Sequence, residues 1–296
     1  MVRITIELIR KRSEHNEGEI STLEEITLHQ ENIEKIELLN RVCKDLKILL
    51  LQNNLISRIE NLNRLKLLEY LNLALNNIEK IENLEGLESL KKLDLTINFI
   101  GDVRDVKNLQ CNEHLQELFL TGNPCTDYEG YREYTIASLP QLKELDGQEI
   151  TRSERIKALQ RYSEVEGCVI RGYYNYKRTR NKQLEQYQQN TEKATITDID
   201  NNKQQESDSD EDATEKFWNS KSYHTPEERY KIAEKISKIE ERKRNRSNAA
   251  ERDSTSHYVP KFFSPEGRPY NINQARIPFR LNDENNHIII LEITVY

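Results

Sequence analysis

The side chains of this 296-residue chain that could do covalent or metal chemistry are four cysteines and six histidines, and their spacing argues against both uses. Cys43, Cys111, Cys125 and Cys168 form no Cys-x-x-Cys pair and have no histidine cluster beside them, so they read as reduced structural thiols. Cys111 with His114 comes nearest to a metal motif but lacks a second ligand pair. His29 stands beside neither a nucleophile nor a carboxylate pair arranged for proton transfer, and there is no phosphate loop. No enzymatic activity, metal, cofactor or small-molecule ligand is therefore expected. Binding chemistry is what remains. Ser207 and Ser209 each stand three residues before an acid, Asp210 and Asp212, the arrangement an acidophilic kinase takes, although a merely solvated acidic run reads the same way. Phe217 and Trp218, the single Trp, follow at once, and an aromatic pair in so polar a stretch implies something that binds it.

Composition bounds the scaffold that must position these groups. Only 35% of the residues are hydrophobic and 32% are charged, so part of the chain is not packed. The net charge of −7 comes from 44 basic and 51 acidic residues, which leaves no overall cationic field for nucleic acid. No run approaches the ~18 apolar residues that cross a bilayer, and "MVRITIELIRKRSEHN" carries charges where a signal peptide has its apolar core. A soluble intracellular protein is expected, with neither membrane nor nucleic acid as partner.

The chain repeats itself. "LEEITLHQENI" from Leu23, "LKILLLQNNLI" from Leu46, "LEYLNLALNNI" from Leu68, "LKKLDLTINFI" from Leu90 and "LQELFLTGNPC" from Leu115 all fit L-x-x-L-x-L-x-x-N-x-L, and "LPQLKELDG" adds a weaker sixth unit at 139–147. This pattern predicts a leucine-rich-repeat solenoid of the 22-residue type, an α/β fold of five to six turns. Leu49/Leu51, Leu71/Leu73 and Leu93/Leu95 should point inward from short parallel strands. Asn54, Asn76, Asn98 and Asn123 fall at the strand exits, where a buried amide can bond the backbone of neighbouring turns, and Glu31 replaces the Asn in the first turn. Between strands, Ile59-Leu62-Leu65-Leu68 and Ile81-Leu84-Leu87-Leu90 recur every third residue, a 3₁₀-like period. A lone turn leaves half its core exposed, so the ends need caps. "ITIELIRKRSEHN" is expected to form a capping helix with Ile6 and Ile9 inward, and Tyr131, Tyr134, Ile136 and Leu139 to cover the last turn.

In register, the outward strand positions form three columns on the concave face: Glu25, Ile48, Tyr70, Lys92, Glu117; Thr27, Leu50, Asn72, Asp94, Phe119; and His29, Gln52, Ala74, Thr96, Thr121. Ile48, Leu50, Tyr70 and Phe119 are apolar where a plain solenoid would be polar, which marks a protein-binding face unless loops or the tail cover them. Asn72, Lys92 and Asp94 lie between them.

From Thr151 the period changes. "TRSERIKALQRYSEVEG" predicts a helix with Ser153 as N-cap and Ile156, Leu159, Gln160 and Tyr162 at helical spacing. The Gln- and Asn-rich stretch after it predicts a frayed helix and then a disordered linker. "TPEERYKIAEKISKIEERKRNR" opens with a capping box, Thr225 with Glu228, and Pro226 at the first helical position, and carries an Ile232, Ile236, Ile239 stripe. Its basic run, Arg242 to Arg246, reads more simply as a solvated helix than as a nuclear-import or RNA patch. Residues 276–281 and 288–295 are strand-like around "NDENNH".

This succession resembles the protein tilB family, ciliary leucine-rich-repeat proteins that act as axonemal dynein assembly factors. The likeness rests on "RITIELIRKRSEHN", the repeat segments "LKILLLQNNLI", "LEYLNLALNNIEKIENLEGL" and "LDLTINFIG", and "ELFLTGNPC" with "YRE" and "LPQLKELDG". It continues through "SERIKALQ", "FWN" with "TPEER", "GRPYNINQARIPF" and "IIILEITVY". The resemblance implies a non-enzymatic adaptor for the cytoplasmic preassembly of dynein arms, placed in the cytoplasm and at the cilium, flagellum or basal body. Its implied partners are other assembly factors including a MYND-type zinc-finger protein, chaperone machinery, and axonemal dynein chains as clients. It also implies a C-terminal CS-type β-sandwich, the co-chaperone fold, of which this sequence carries two strands and is read as truncated. The expected organisation is a cap over 1–20, repeats with their C-terminal cap over 21–162, a charged helical or disordered linker over 163–257, and an incomplete CS-type domain over 258–296. The alternative class is a nuclear leucine-rich-repeat module, phosphatase-regulatory or splicing-type.

Overall fold

A computed structural model describes residues 3–13, 16–197, 225–238, 279–282 and 288–291. The chain divides into two compact units, Met1–Ser237 and Lys238–Tyr296.

In the first unit, five three-residue strands, β1 (Glu25–Thr27), β2 (Ile48–Leu50), β3 (Tyr70–Asn72), β4 (Lys92–Asp94) and β5 (Glu117–Phe119), pair in parallel and in order. Glu25, Ile48, Tyr70, Lys92 and Glu117 stand opposite one another along the sheet. The short β6 (Glu144–Leu145) continues the parallel run and β7 (Gln148–Glu149) folds back antiparallel, which ends the sheet. Each central strand buries its middle residue and half-buries its flanks. Leu49, Leu71, Leu93 and Leu118 are fully buried, as are the convex leucines Leu62, Leu65, Leu84 and Leu87. On the convex side, i to i+3 backbone bonds close successive three-residue turns, Leu65 N to Leu62 O (2.9 Å) and Leu87 N to Leu84 O (3.1 Å), and one such stretch is a full 3₁₀ helix, Val103–Leu109.

Asparagine ladders bind turn to turn. Asn76 Oδ1 accepts from Ile56 N (3.1 Å) while its Nδ2 donates to Leu51 O (2.9 Å) and Leu73 O (3.0 Å). Asn98 repeats this with Ile78 N, Leu73 O and Leu95 O, and Asn123 with Ile100 N, Leu95 O and Leu120 O. Each shared carbonyl thus receives two amides from successive turns. In the last turn Asp146 takes over, accepting from Leu120 N (2.7 Å), Thr121 N (2.9 Å) and the Tyr131 hydroxyl (2.8 Å). A second ladder runs on the convex side, where Asn61, Asn83 and Asn108 donate to Ile36 O, Ile59 O and Ile81 O at 2.7–2.8 Å.

The caps depart from expectation in three places. Helix α1 (Ile6–Arg12) starts at the Thr5 cap and buries Ile9, but Ile6 is 44% exposed. Ile4, just ahead of the cap, takes the buried place instead. After the single turn α2 (Leu39–Val42), α3 (Tyr131–Ser138) covers the last repeat with Tyr131, Tyr134 and Ile136 buried, and Leu139 just beyond it is buried too. Helix α4 (Arg152–Gln160) is capped by Thr151, whose hydroxyl accepts from Glu154 N, not by Ser153. It docks through Ala158 and leaves Ile156 and Leu159 48% and 58% exposed. Polar bonds orient it instead: the Arg155 guanidinium donates to Ile136 O, a last-turn carbonyl of α3 without a helical partner, and to Leu139 O and Leu142 O just beyond the helix.

Where a frayed helix was expected, α5 (Tyr162–Thr197) runs for 36 residues. Its first half is held by burial: Val165, Val169 and Arg180 lie against the repeats, and the Tyr176 ring sits on Gly101, where any Cβ would collide with it. A further helix, α6, spans 226–238 and contacts the same unit, so this part of the expected linker is packed structure. Residues 198–224 lie outside the described residues, as do Arg242 to Arg246. In the second unit, β8 (Phe279–Asn282) and β9 (Ile288–Leu291) form an antiparallel pair, with Arg280 opposite Ile290.

Candidate partner-binding face

The parallel register sets the concave face. A leucine-rich turn fixes only which strand residue points inward, so the flanking positions are free to carry recognition chemistry, and adjacent strands bring equivalent positions within side-chain reach. Ile48, Leu50, Tyr70, Asn72, Lys92, Asp94 and Phe119 are all half-buried on this one surface. They therefore form one surface, with Ile48 and Leu50 on one side of Tyr70 and Lys92 and Phe119 on the other.

Lys92 is the centre of the face. Its Nζ lies 5.4 Å from the Tyr70 ring centroid and 4.9 Å from that of Phe119, and pairs with Glu117 Oε2 at 2.8 Å. The hydrogen bond to Glu117 is the main reason its pKa rises above the ordinary lysine value, so the ammonium stays charged between two aromatic faces. Glu117 was not among the residues singled out from sequence, yet the signal was there: it is Lys92's neighbour in the same column. Two further groups fix the shape. Asn72 Nδ2 donates to the Tyr70 hydroxyl (3.1 Å) and its Oδ1 accepts from Ala74 N (3.0 Å), while Asp94 Oδ1 accepts from Thr96 N (2.9 Å). These bonds tie the strand-end side chains to their own turns and leave the rings and aliphatic groups facing outward. In the third column, His29 Nδ1 and Gln52 Oε1 are buried without a hydrogen-bond partner. Such groups are costly to leave unpaired, and a bound backbone or side chain could satisfy them.

Among the described residues no group of three or more His, Cys, Asp or Glu is placed to hold a metal ion, and no helix is long and apolar enough to cross a membrane. All four cysteines are free thiols, and burial pushes that of Cys43 up to about 11. Asn54, Asn76, Asn98 and Asn123 are buried within the ladder and do not reach the concave surface. Phe217, Trp218, Ser207 and Ser209 lie outside the described residues.

Two family models match separate parts of the chain, and the second begins inside α6, ahead of the boundary between the two compact units. A family model described as a leucine-rich repeat matches residues 1–171, and one described as the CS domain of dynein axonemal assembly factor 11-like proteins matches residues 229–296. Dynein axonemal assembly factor 11 of Danio rerio is 46% identical over 100% of this chain and 68% of its own length. Protein tilB of Drosophila melanogaster is 48% identical over 100% of this chain and 72% of its own. Among solved structures, a chain of the Drosophila melanogaster SNF/U2A' complex superposes with a TM-score of 0.50 at 26% identity, covering 56% of this chain and 99% of that one.

Proposed function

Because this chain belongs to the dynein axonemal assembly factor 11 (protein tilB) family, we propose that it is a non-enzymatic adaptor in the assembly of axonemal dynein, acting in the cytoplasm of ciliated or flagellated cells. The concave face captures a protein partner. The observation that carries this reading is the continuous surface of Ile48, Leu50, Tyr70 and Phe119 around a charge-paired Lys92, apolar and aromatic at positions the repeat itself leaves unconstrained. The proposed occupants are other assembly factors, including a MYND-type zinc-finger protein, or dynein chains as clients; the CS-matched C-terminal region recruits chaperone machinery. Replacing Ile48, Leu50, Tyr70 and Phe119 with Ala tests the face, since none of the four is in the buried core and the melting temperature should hold. Loss of the MYND-type partner in co-purification from ciliated cells is the expected result. Undiminished capture by the folded variant would overturn the assignment. The alternative, a nuclear leucine-rich-repeat module of phosphatase-regulatory or splicing type, has less support: the solved-structure likeness covers 56% of this chain, whereas the identity to dynein axonemal assembly factors extends over all of it.

A further inference from the structure

The strand-exit edge of the repeats carries acceptors that the ladders leave unused. Leu55 O, Asn76 O and Ile97 O take part in no bond within the repeats among the described residues, and all three are instead met by α6. Arg229 Nη1 donates to Asn76 O at 2.6 Å and Ile97 O at 3.4 Å, its guanidinium lies 4.5 Å from the Phe99 ring centroid, and the Tyr230 hydroxyl donates to Leu55 O at 2.8 Å. These carbonyls fall in successive turns, and α6 spans three of them with two side chains. The reciprocal bonds of Thr225 and Glu228, 3.0 and 3.3 Å, fix where the helix begins and hence which residues its first turn presents. Glu227 is clipped to Arg180 of α5 at 2.7 and 3.0 Å, and Arg180 reaches Glu79 of the repeats at 3.4 Å. Lys231 lies 4.2 Å above the Tyr187 ring.

The geometry points to a releasable strap: the strand-exit edge beside β2, β3 and β4 is a recognition site for an arginine–tyrosine pair in the first turn of a helix, and residues 225–238 occupy it in cis. Specificity comes from the guanidinium's plane, which lies against the Phe99 ring while Nη1 meets carbonyls of two neighbouring turns, whereas an ammonium has no plane to lay on the ring. Releasability comes from what the contact lacks. Arg229 is 7% exposed and makes no ion pair among the described residues, and burial lowers its pKa to about 10. A buried cation without a carboxylate gives back much of what its hydrogen bonds contribute. The helix adds little apolar area, since Ile232 and Ile236 are only half-buried. A segment held largely by polar contacts opens more readily than the leucine core beneath it. The acceptors, Leu55 O, Asn76 O and Ile97 O, belong to none of the concave-face residues Ile48, Leu50, Tyr70, Asn72, Lys92, Asp94 and Phe119.

Hydrogen exchange of the full chain tests this through the amides of 226–238. Arg180→Glu and Glu227→Arg should each speed their exchange by about tenfold or more, and the double variant should recover most of the protection, while the melting of the repeats stays unchanged. Arg229→Lys should speed exchange as well. A synthetic peptide of residues 225–238, added in large excess, should deprotect the chain's own α6, and the same peptide with Arg229→Ala should not. Protection unaffected by the single variants, or unrecovered in the double, would overturn the assigned contacts. Protection that no excess of peptide reduces would overturn release, and protection that rises with protein concentration would make the occupant a second copy rather than the chain itself.

Discussion

If the asparagine ladder is what ties turn to turn, removing one member should cost what its bonds leave orphaned, and the cost should depend on position in a way that composition alone would not give. Asn76→Ala and Asn54→Ala make the comparison. In Asn76→Ala, Leu51 O keeps the Asn54 amide (3.0 Å) and Leu73 O keeps that of Asn98 (2.9 Å), so the one group stranded is the Ile56 N–H. One buried orphan donor costs about 1–3 kcal/mol, and the void left by the amide adds about 1 kcal/mol. Asn54 has no ladder neighbour on its N-terminal side, because Glu31 occupies that position. Its Oδ1 accepts from both Glu31 N (3.1 Å) and Ile33 N (3.0 Å), and its Nδ2 alone among side chains meets Leu28 O (2.8 Å). Three groups are stranded, so Asn54→Ala should cost roughly twice as much as Asn76→Ala, discounted for the half-buried Glu31 amide. Urea unfolding followed by far-UV circular dichroism reads the global term. Exchange of the Ile33 amide reads the local one, because turns couple mainly to their neighbours and a weakened terminal turn can fray alone. Two variants within about 0.5 kcal/mol of one another, by both readouts, would refute the orphan-counting argument.

Two further perturbations follow from buried detail. Burial, aided by Asp102 and opposed by Lys80 and Arg104, pushes the Asp105 carboxyl from its ordinary 3.8 to about 6, and its Oδ2 has no hydrogen-bond partner. The folded state therefore holds this proton more tightly than the unfolded chain, and the stability it contributes is present below about pH 4 and lost as pH rises through about 6. Asp105→Asn should raise the melting temperature at pH 7.5 by a few degrees, about 1 kcal/mol after discounting for the partly exposed site, and change nothing at pH 4; an equal gain at both values would exclude the carboxyl as the cause. Gly86 packs against the backbone of the preceding turn, and a Cβ there would sit 2.7 Å from Asn63 Cα and 2.8 Å from its carbonyl carbon. Gly86→Ala should destabilise by about 1–3 kcal/mol through overpacking, and a melting curve matching the parent would mean that the turns stack less closely than this.

Legibility in the sequence followed chain separation. The inward leucines, the register that places Ile48 opposite Tyr70, and the buried asparagines all recur at a nearly fixed interval, so a single chain displays them several times over. The concave columns came with them, since strand alternation determines the other face once one is known. Contacts made once leave no such trace. Arg229 reaches Asn76 and Ile97 across 153 and 132 residues, and Tyr230 reaches Leu55 across 175. The stretch that holds them reads locally as a charged, solvated helix, and by composition that is what it is.

The same distinction explains why helical spacing misled at α4. Ile156 and Leu159 have the periodicity of a buried stripe, but a cap helix at the end of a solenoid meets the open end of the preceding helix, whose last carbonyls need donors. Arg155 supplies one to Ile136 O and binds Leu139 O and Leu142 O just beyond, Gln110 meets Ser138 O, and the aliphatic pair is turned outward while Ala158 is buried. Leu75 and Ile97 make the point for the backbone. Each precedes a ladder asparagine and takes the left-handed conformation, φ +56° and +53°, at a position where Asn53 and Gly122 stand in neighbouring turns. Nothing in a leucine or an isoleucine announces positive φ, and a β-branched residue there is strained. The repeat imposes it, because the asparagine can reach back to two carbonyls only if the residue before it reverses the chain. The local preference of one residue therefore yields to a hydrogen-bond pattern shared by every turn.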